Sequence, residues 1–451
     1  MSIYHHDTDT TIIAPATAAG GAVVVVRISG PDAIPIADKL FRGRTQLADA
    51  KGYTLHYGDI VYPTGEPLDD VIVALFRAPH SYTEEDSVEI TIHGSEYITS
   101  ELLRLAIGYG ATMATPGEFT RRAFLAGKMD LSRAEAVADI IASDSQWSHN
   151  VARTQMRGKY SERLGVMRQS LLKLCSLLEL ELDFSEEDVE FANRSELRDM
   201  LKSIKSEVEQ LRSSFALGNV LKNGVTVAII GEPNVGKSTL LNALIEDDRA
   251  MVSDIAGTTR DTIEATTTID GIRYRFVDTA GLRTTEDKLE QMGIDRTYRA
   301  IENAQIILHI AAADNPFFDK VSVDMQQKYI RVINKIDKLI STDNIDSDTT
   351  LMISAKEGIG IDALRTALRE CTDTSHINSS SIVVTNMRHY AALERAAESI
   401  GMALTAMDND LPSDLLSEDI RQTLHHLGEI TGDITSDDIL HTIFSTFCIG
   451  K

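Results

Sequence analysis

"VTVAIIGEPNVGKSTLLNALI", Val225 to Ile245, is the stretch that decides the fold. The run Val225–Ile230 is apolar or β-branched throughout and predicts a buried strand. "GEPNVGKST", Gly231 to Thr239, follows at once, fits G-x-x-x-x-G-K-[ST], and runs into the helical "LLNALI". Glycines in such a loop let backbone N–H groups close around phosphate oxygens. Lys237 reaches the β and γ phosphates, and Ser238 can ligate Mg²⁺.

Working outward, three further stretches stand in the order a nucleotide switch requires. "GTTRD", Gly257 to Asp261, offers Thr259 as a second hydroxyl for Mg²⁺. "DTAGLR", Asp278 to Arg283, follows a strand, so that Asp278 can hold Mg²⁺ through water and the Gly281 N–H can sense a γ phosphate, with Thr279 and Ala280 between them. "NKID", Asn334 to Asp337, and "SAK", Ser354 to Lys356, each follow an apolar strand. A carboxylate at Asp337 accepts from the N1–H and 2-amino group of guanine, a pair adenine does not present. Lys335, Ala355 and Lys356 complete the base-side motifs, and Asn234, Val235, Gly236 and Thr239 the phosphate side. The site therefore selects GTP.

The residue after Gly281 is Leu282, where Ras-type GTPases carry a glutamine that orients the attacking water. Glu286 and Glu290, just downstream, are the carboxylates that could replace it. No arginine is poised as an internal finger, so a bound cation could supply that charge, with the Asn234 side chain as an oxygen ligand.

The bulk numbers agree with several soluble domains. The chain has 451 residues, 43% hydrophobic and 25% charged, with no run long enough to span a membrane and no secretory signal pattern. Cys175, Cys371 and Cys448 are too few and too far apart for a disulfide framework or a C-x-x-C site, which suits a reducing cytoplasm. A net charge of -24 excludes non-specific attraction to nucleic acid, so any such contact is local. Asn150 to Lys173 is the candidate, with Arg153, Arg157, Lys159, Arg163, Arg168 and Lys173 against the single acid Glu162; a solvated helix face would look the same.

Texture divides the chain into a multidomain α/β plus α architecture. Residues 1–127 mix β-rich stretches ("GAVVVVRISG", "DDVIVALFRA", "SVEITIHG") with one helix and predict an α+β domain. Residues 128–222 and 375–451 carry helical periodicity, interrupted at 223–374 by strand and helix alternation that predicts an inserted, doubly wound, mostly parallel sheet. No G-x-G-x-x-G follows a strand, so FAD would have to sit on another protein.

Together with the terminal "CIGK", Cys448 to Lys451, these motifs resemble the MnmE (TrmE) family of tRNA uridine modification GTPases over the whole chain. Iron-transport and ribosome-assembly GTPases share the nucleotide motifs but not that ending. The resemblance implies K⁺ held by Asn234, Ser253, Ile255 and Thr258 in place of an arginine finger. It implies Glu290, before "QMGI", as the residue that orients water, and activation by dimerisation of the nucleotide domains. It implies an N-terminal tetrahydrofolate-binding and dimerisation domain in which Arg27, Glu89, Lys128 and Lys451 bind a tetrahydrofolate derivative at the formyl or methylene level. It further implies a homodimer working with the FAD protein MnmG, in a heterotetramer-type complex, on C5 of the wobble uridine of tRNA. Cys448 would then belong to a reactive tail. The family often carries "GHGG" where this chain has "IHGS", His93 to Ser95, which leaves His93 without a role. A pure assembly switch, in which GTP only controls docking, is the rival reading; it has no need of the folate set or of Cys448.

Overall fold

The computed structural model describes residues 9–18, 20–183, 194–246, 264–278, 301–302, 304–318, 321, 324, 327–338, 350–372, 382–409 and 411–451. Two compact units emerge, Met1–Ala138 with Gln155–Ile204 and Arg395–Lys451, and Asp139–Thr154 with Lys205–Glu394.

The first unit is built on a seven-stranded sheet. Its strands are β1 (Ile12–Pro15), β2 (Val23–Ser29), β3 (Phe41–Gly43), β4 (Thr54–Val61), β5 (Pro67–Phe76), β6 (Ser87–His93) and β7 (Thr112–Met113), in the order β3-β4-β5-β6-β2-β1-β7. Pairing is antiparallel except between β1 and β7. Side chains alternate as a half-covered sheet requires: Val24, Val26 and Ile28 are buried, while Val25 and Arg27 look to the other face. The covered face packs with helices Ala33–Leu40 and Glu96–Gly108 through Ile36, Leu40, Leu102, Val73 and Ile90. The second of these helices starts where Ser95 Oγ accepts from Ile98 N at 3.5 Å, an N-cap bond.

The same unit contains helix Lys159–Asp183 packed along helix Ser413–Thr431. Leu164, Met167, Leu171, Leu174 and Leu178 recur at spacings of three and four and are all buried, as are Leu416, Ile420 and Leu427 on the facing helix. Each such side chain contributes about 1.5–3 kcal/mol by leaving water. Cys175 sits in this seam, its Sγ 3.7 Å from Ser417 Oγ, and behaves as core.

The second unit carries a six-stranded sheet of β8 (Val225–Ile230), β9 (Glu264–Ile269), β10 (Ile272–Asp278), β11 (Ile306–Ala312), β12 (Lys328–Asn334) and β13 (Thr350–Met352), ordered β13-β12-β11-β8-β10-β9. All neighbours are parallel except β9 and β10. Every residue of β8 is buried, because both faces of the sheet are covered: Val227 and Ile229 pack in one core, Ile230 and Ile307 in another. Asp270 (φ 50°) and Gly271 (φ 81°) turn the β9–β10 hairpin with the two positive φ values that a type I′ turn needs. Later chain continues to β10 on one side of β8 and to β11 on the other. The C-terminal end of β8 is thus a topological switch point, where α/β sheets bind ligands.

Candidate nucleotide and tail-docking sites

At that switch point the loop Gly231–Lys237 leaves β8 and enters helix Lys237–Glu246. Gly231 has φ 143°, and a Cβ there would stand 2.1 Å from Ile310 O; Gly236 has φ 99°, and its Cβ would stand 2.3 Å from Asn334 Nδ2. Only glycine allows both the turn and the close approach. Lys237 is 5% exposed and folds its ammonium back over the loop, donating to Gly231 O at 2.6 Å and Glu232 O at 2.8 Å. The positive charge therefore lies within the ring of main-chain groups, where a phosphate oxygen would be drawn.

The base-side motifs are tied to this loop by Asn334, 2% exposed at the end of β12. Its Nδ2 donates to Val235 O at 2.9 Å, while its Oδ1 accepts from Lys335 N at 2.8 Å and Ala355 N at 3.0 Å. One carboxamide thus joins "GEPNVGKST", "NKID" and "SAK". Lys335, in the left-handed region at φ 68°, donates from Nζ to Asn234 O at 2.5 Å. Asp337 Oδ1 accepts from Ser354 Oγ at 2.6 Å, and that bond, helped by its own backbone and by Lys338 and Lys356, holds the carboxyl below its ordinary range. Asp337 is exposed and ionised at neutral pH, an acceptor for donors on a base edge. Ser238 and Thr239 lie exposed at the start of the helix, and Asp278 ends β10 level with Ile229 of β8. Ser253, Ile255, Thr258, Thr259, Thr279, Ala280, Gly281, Leu282, Glu286 and Glu290 lie outside the described residues.

In the first unit Arg27 of β2 stands opposite Glu89 of β6. Nε and Nη2 of Arg27 reach Glu89 Oε1 at 2.9 and 2.8 Å, and Nη1 donates to Gly450 O at 3.4 Å. The guanidinium lies over the rings of Tyr82 at 5.2 Å and Phe119 at 5.4 Å. Lys128 Nζ donates to Ser81 O, next to Tyr82. Ser81 Oγ is buried with no partner among the described residues, so a hydrogen-bonding position remains open on the residue whose carbonyl Lys128 holds. Such a donor set fits a flat heterocycle carrying carboxylates.

The C-terminal tail belongs to this same place. Phe444 and Phe447 pack with Leu131, Ala134 and Leu440. Gly117 N donates to Cys448 O at 3.4 Å, and a Cβ on Gly450 (φ 93°) would be 2.0 Å from Pro15 O. Lys451 N donates to Cys448 O at 3.3 Å. Cys448 is exposed, while the main chain around it is held. Arg27, Glu89, Lys128 and the "CIGK" ending thus come together within one unit.

The sequence gives no signal for Ser81, Tyr82 and Phe119, yet the fold lays the Tyr82 and Phe119 rings against Arg27 and the Ser81 carbonyl against Lys128. Nor does it single out Arg122, 1% exposed, which bonds Glu85 at 3.1 Å, Glu118 at 2.9 Å and Thr10 O at 2.7 Å. His93 pairs with Asp69 at 2.7 Å, the bond that raises its pKa. In the basic segment Arg168 is ion-paired with Asp433.

A phosphate loop at the switch point, joined through Asn334 to the "NKID" and "SAK" motifs and their exposed Asp337 carboxylate, defines a P-loop GTPase domain, here carried with an α+β sheet and a helical part in one chain. The chain belongs to the MnmE (TrmE) family. The GTP-binding protein TrmE N-terminus matches residues 11–128, and the MnmE helical domain matches residues 131–448. A tRNA modification GTPase MnmE of Christiangramia forsetii is 46% identical over 471 residues, covering 98% of this chain and 99% of that protein. That of Bacteroides fragilis is 48% identical over 462 residues, covering 98% and 99%. Among solved structures, Era of Aquifex aeolicus bound to GDP and aluminium fluoride is 25% identical, with a TM-score of 0.26, over 39% of this chain and 66% of that one.

Proposed function

We propose that this GTP hydrolase is the tRNA-modifying GTPase that, with MnmG, installs an aminomethyl or carboxymethylaminomethyl group at C5 of the wobble uridine. The observation that carries the reading is the Arg27–Gly450 contact: the cysteine-bearing tail is docked on the N-terminal sheet, an arrangement that a switch controlling docking alone would not need. Arg27, Glu89, Lys128 and Lys451 would hold a tetrahydrofolate derivative, which supplies the one-carbon unit when bound. The cations would pair with its carboxylates and Glu89 would orient its ring edge, leaving the Cys448 thiol exposed beside it.

In the nucleotide domain Ser238 and Thr259 would hold Mg²⁺, and Asn234, Ser253, Ile255 and Thr258 would hold K⁺. Glu290 would orient the attacking water. The domain assignment is 1–127 for folate binding and dimerisation, 128–222 and 375–451 for the helical domain, and 223–374 for the GTPase. A homodimer is supported by the outer face of the N-terminal sheet, where Leu55, Tyr57 and Ile72 are exposed on neighbouring strands β4 and β5. FAD would reside on MnmG. A cytoplasmic site of action agrees with the free cysteines, and no described helix is long and apolar enough to cross a membrane.

Mass spectrometry of tRNA nucleosides from cells lacking the protein tests the function. Loss of the C5-modified wobble uridine is expected, and an unchanged nucleoside profile would overturn the reading.

A further inference from the structure

Helix Ser413–Thr431 carries His425, His426 and Glu429, none of them among the nucleotide or tail-docking residues, whose nitrogen and carboxylate donor atoms all lie within 4.8 Å of one another. An α-helix turns about 100° per residue, so Glu429 projects about 40° around from His425 and His426 about 100° around. The carboxylate therefore stands between the two imidazoles. Glu429 Oε1 is 3.3 Å from His425 Nε2 and 3.4 Å from His426 Nδ1. A Zn²⁺-class ion binds such atoms at about 2.0–2.2 Å, which puts two ligands of a tetrahedral site about 3.4 Å apart. The two separations from Oε1 already match edges of that polyhedron.

Two further features shape the cluster. Arg395 bonds the other carboxylate oxygen, Glu429 Oε2, which turns Oε1 toward the imidazoles as outer partners of metal-binding carboxylates do. Its positive charge also opposes a cation, so the affinity is moderate. The donors are two nitrogens and one oxygen, a set that favours Zn²⁺, Co²⁺, Ni²⁺ or Cu²⁺ over Mg²⁺. The His425 side chain is 53% exposed and that of His426 19% exposed, so an ion can enter from solvent.

We propose that His425, His426 and Glu429 bind one divalent transition-metal ion per chain, with water in the remaining positions. The ion clamps the last two turns of the helix just before Gly432, where φ 85° ends it. From there the chain runs through helix Asp437–Ser445 into the docked tail.

Co²⁺ is the probe, titrated into chelator-stripped full-length protein and followed by its visible absorption. One equivalent should bind at neutral pH and be displaced by Zn²⁺, without the near-ultraviolet thiolate band that a cysteine ligand would add. The double variant His425→Ala, His426→Ala and the single variant Glu429→Gln should each lose about 100-fold or more in affinity, with an unchanged circular dichroism spectrum and unchanged GTP hydrolysis. Equal Co²⁺ affinity in the double variant, or no Co²⁺ bound by the unaltered chain, would overturn the proposal.

Discussion

The side chain of Asn334 donates to the main-chain carbonyl of Val235 at 2.9 Å, across 99 positions of sequence. Its oxygen at the same time accepts from Lys335 N and Ala355 N. Truncation to alanine would leave the Ala355 N–H without its partner in a buried setting, at a cost of about 1–3 kcal/mol. Asn334→Ala should therefore lower the urea midpoint of the chain and also weaken GTP binding, because the phosphate loop loses its tie. Denaturation and nucleotide titration of the same preparation check this; a variant normal in both would show that the tie is dispensable.

Asp337 is held ionised first by the Ser354 hydroxyl, which keeps it an acceptor. In Asp337→Asn one acceptor oxygen becomes an amide donor that meets the 2-amino group of guanine head-on, while the remaining oxygen still accepts from N1–H. GTP affinity should fall by about 10²-fold or more, while xanthosine triphosphate, with a carbonyl where guanine has its amino group, should gain. Competition between the two nucleotides measures the exchange, and an unchanged preference would detach Asp337 from base selection.

These two positions show what the sequence made legible and what it did not. Gly231 to Thr239 reads directly because strand, loop and helix are contiguous, so local spacing alone sets the geometry. The Asn334 tie is invisible there, since it depends on β12 lying two strands from β8, with only β11 between them. Likewise "CIGK" announces a reactive tail, but its cradle of Pro15, Gly117 and Arg27 becomes apparent only once β1 and β2 lie beside it; the Arg27–Gly450 contact spans 423 positions. Tyr82 and Phe119 carry no sequence signal for a site, because aromatic residues in a β-rich domain pack a core far more often than they flank a cation.

His93 offers a pH test. Asp69 raises its pKa above 6.5, first through their hydrogen bond and then through charge attraction. A group whose folded pKa is raised stabilises the fold fully below its unfolded value and loses that contribution as the pH climbs through the folded one. NMR titration should place the His93 transition above the ordinary histidine value, and Asp69→Asn should return it there. Stability of the unaltered chain should then decline slightly as the pH rises through that transition. A His93 transition at the ordinary value would mean that the pair is not formed in solution.

Gly450 is the position through which tail docking can be tested without touching a reactive group. Its φ of 93° disfavours any side chain, and a Cβ there would press to 2.0 Å from Pro15 O, a main-chain atom fixed in β1. Gly450→Ala must therefore displace the tail and break the Gly450 O contact with Arg27, while it alters no residue of the nucleotide loop. The expected result is GTP hydrolysis close to that of the unaltered protein, with tRNA modification reduced by about tenfold or more, the effect of misplacing a reacting group by an ångström or so. Cys448→Ser supplies the comparison, since it leaves the docked main chain in place and removes only the thiol. If both variants lose modification and keep hydrolysis, the tail is a working part of the N-terminal site; if Gly450→Ala modifies tRNA normally, docking as seen here is not required for the chemistry.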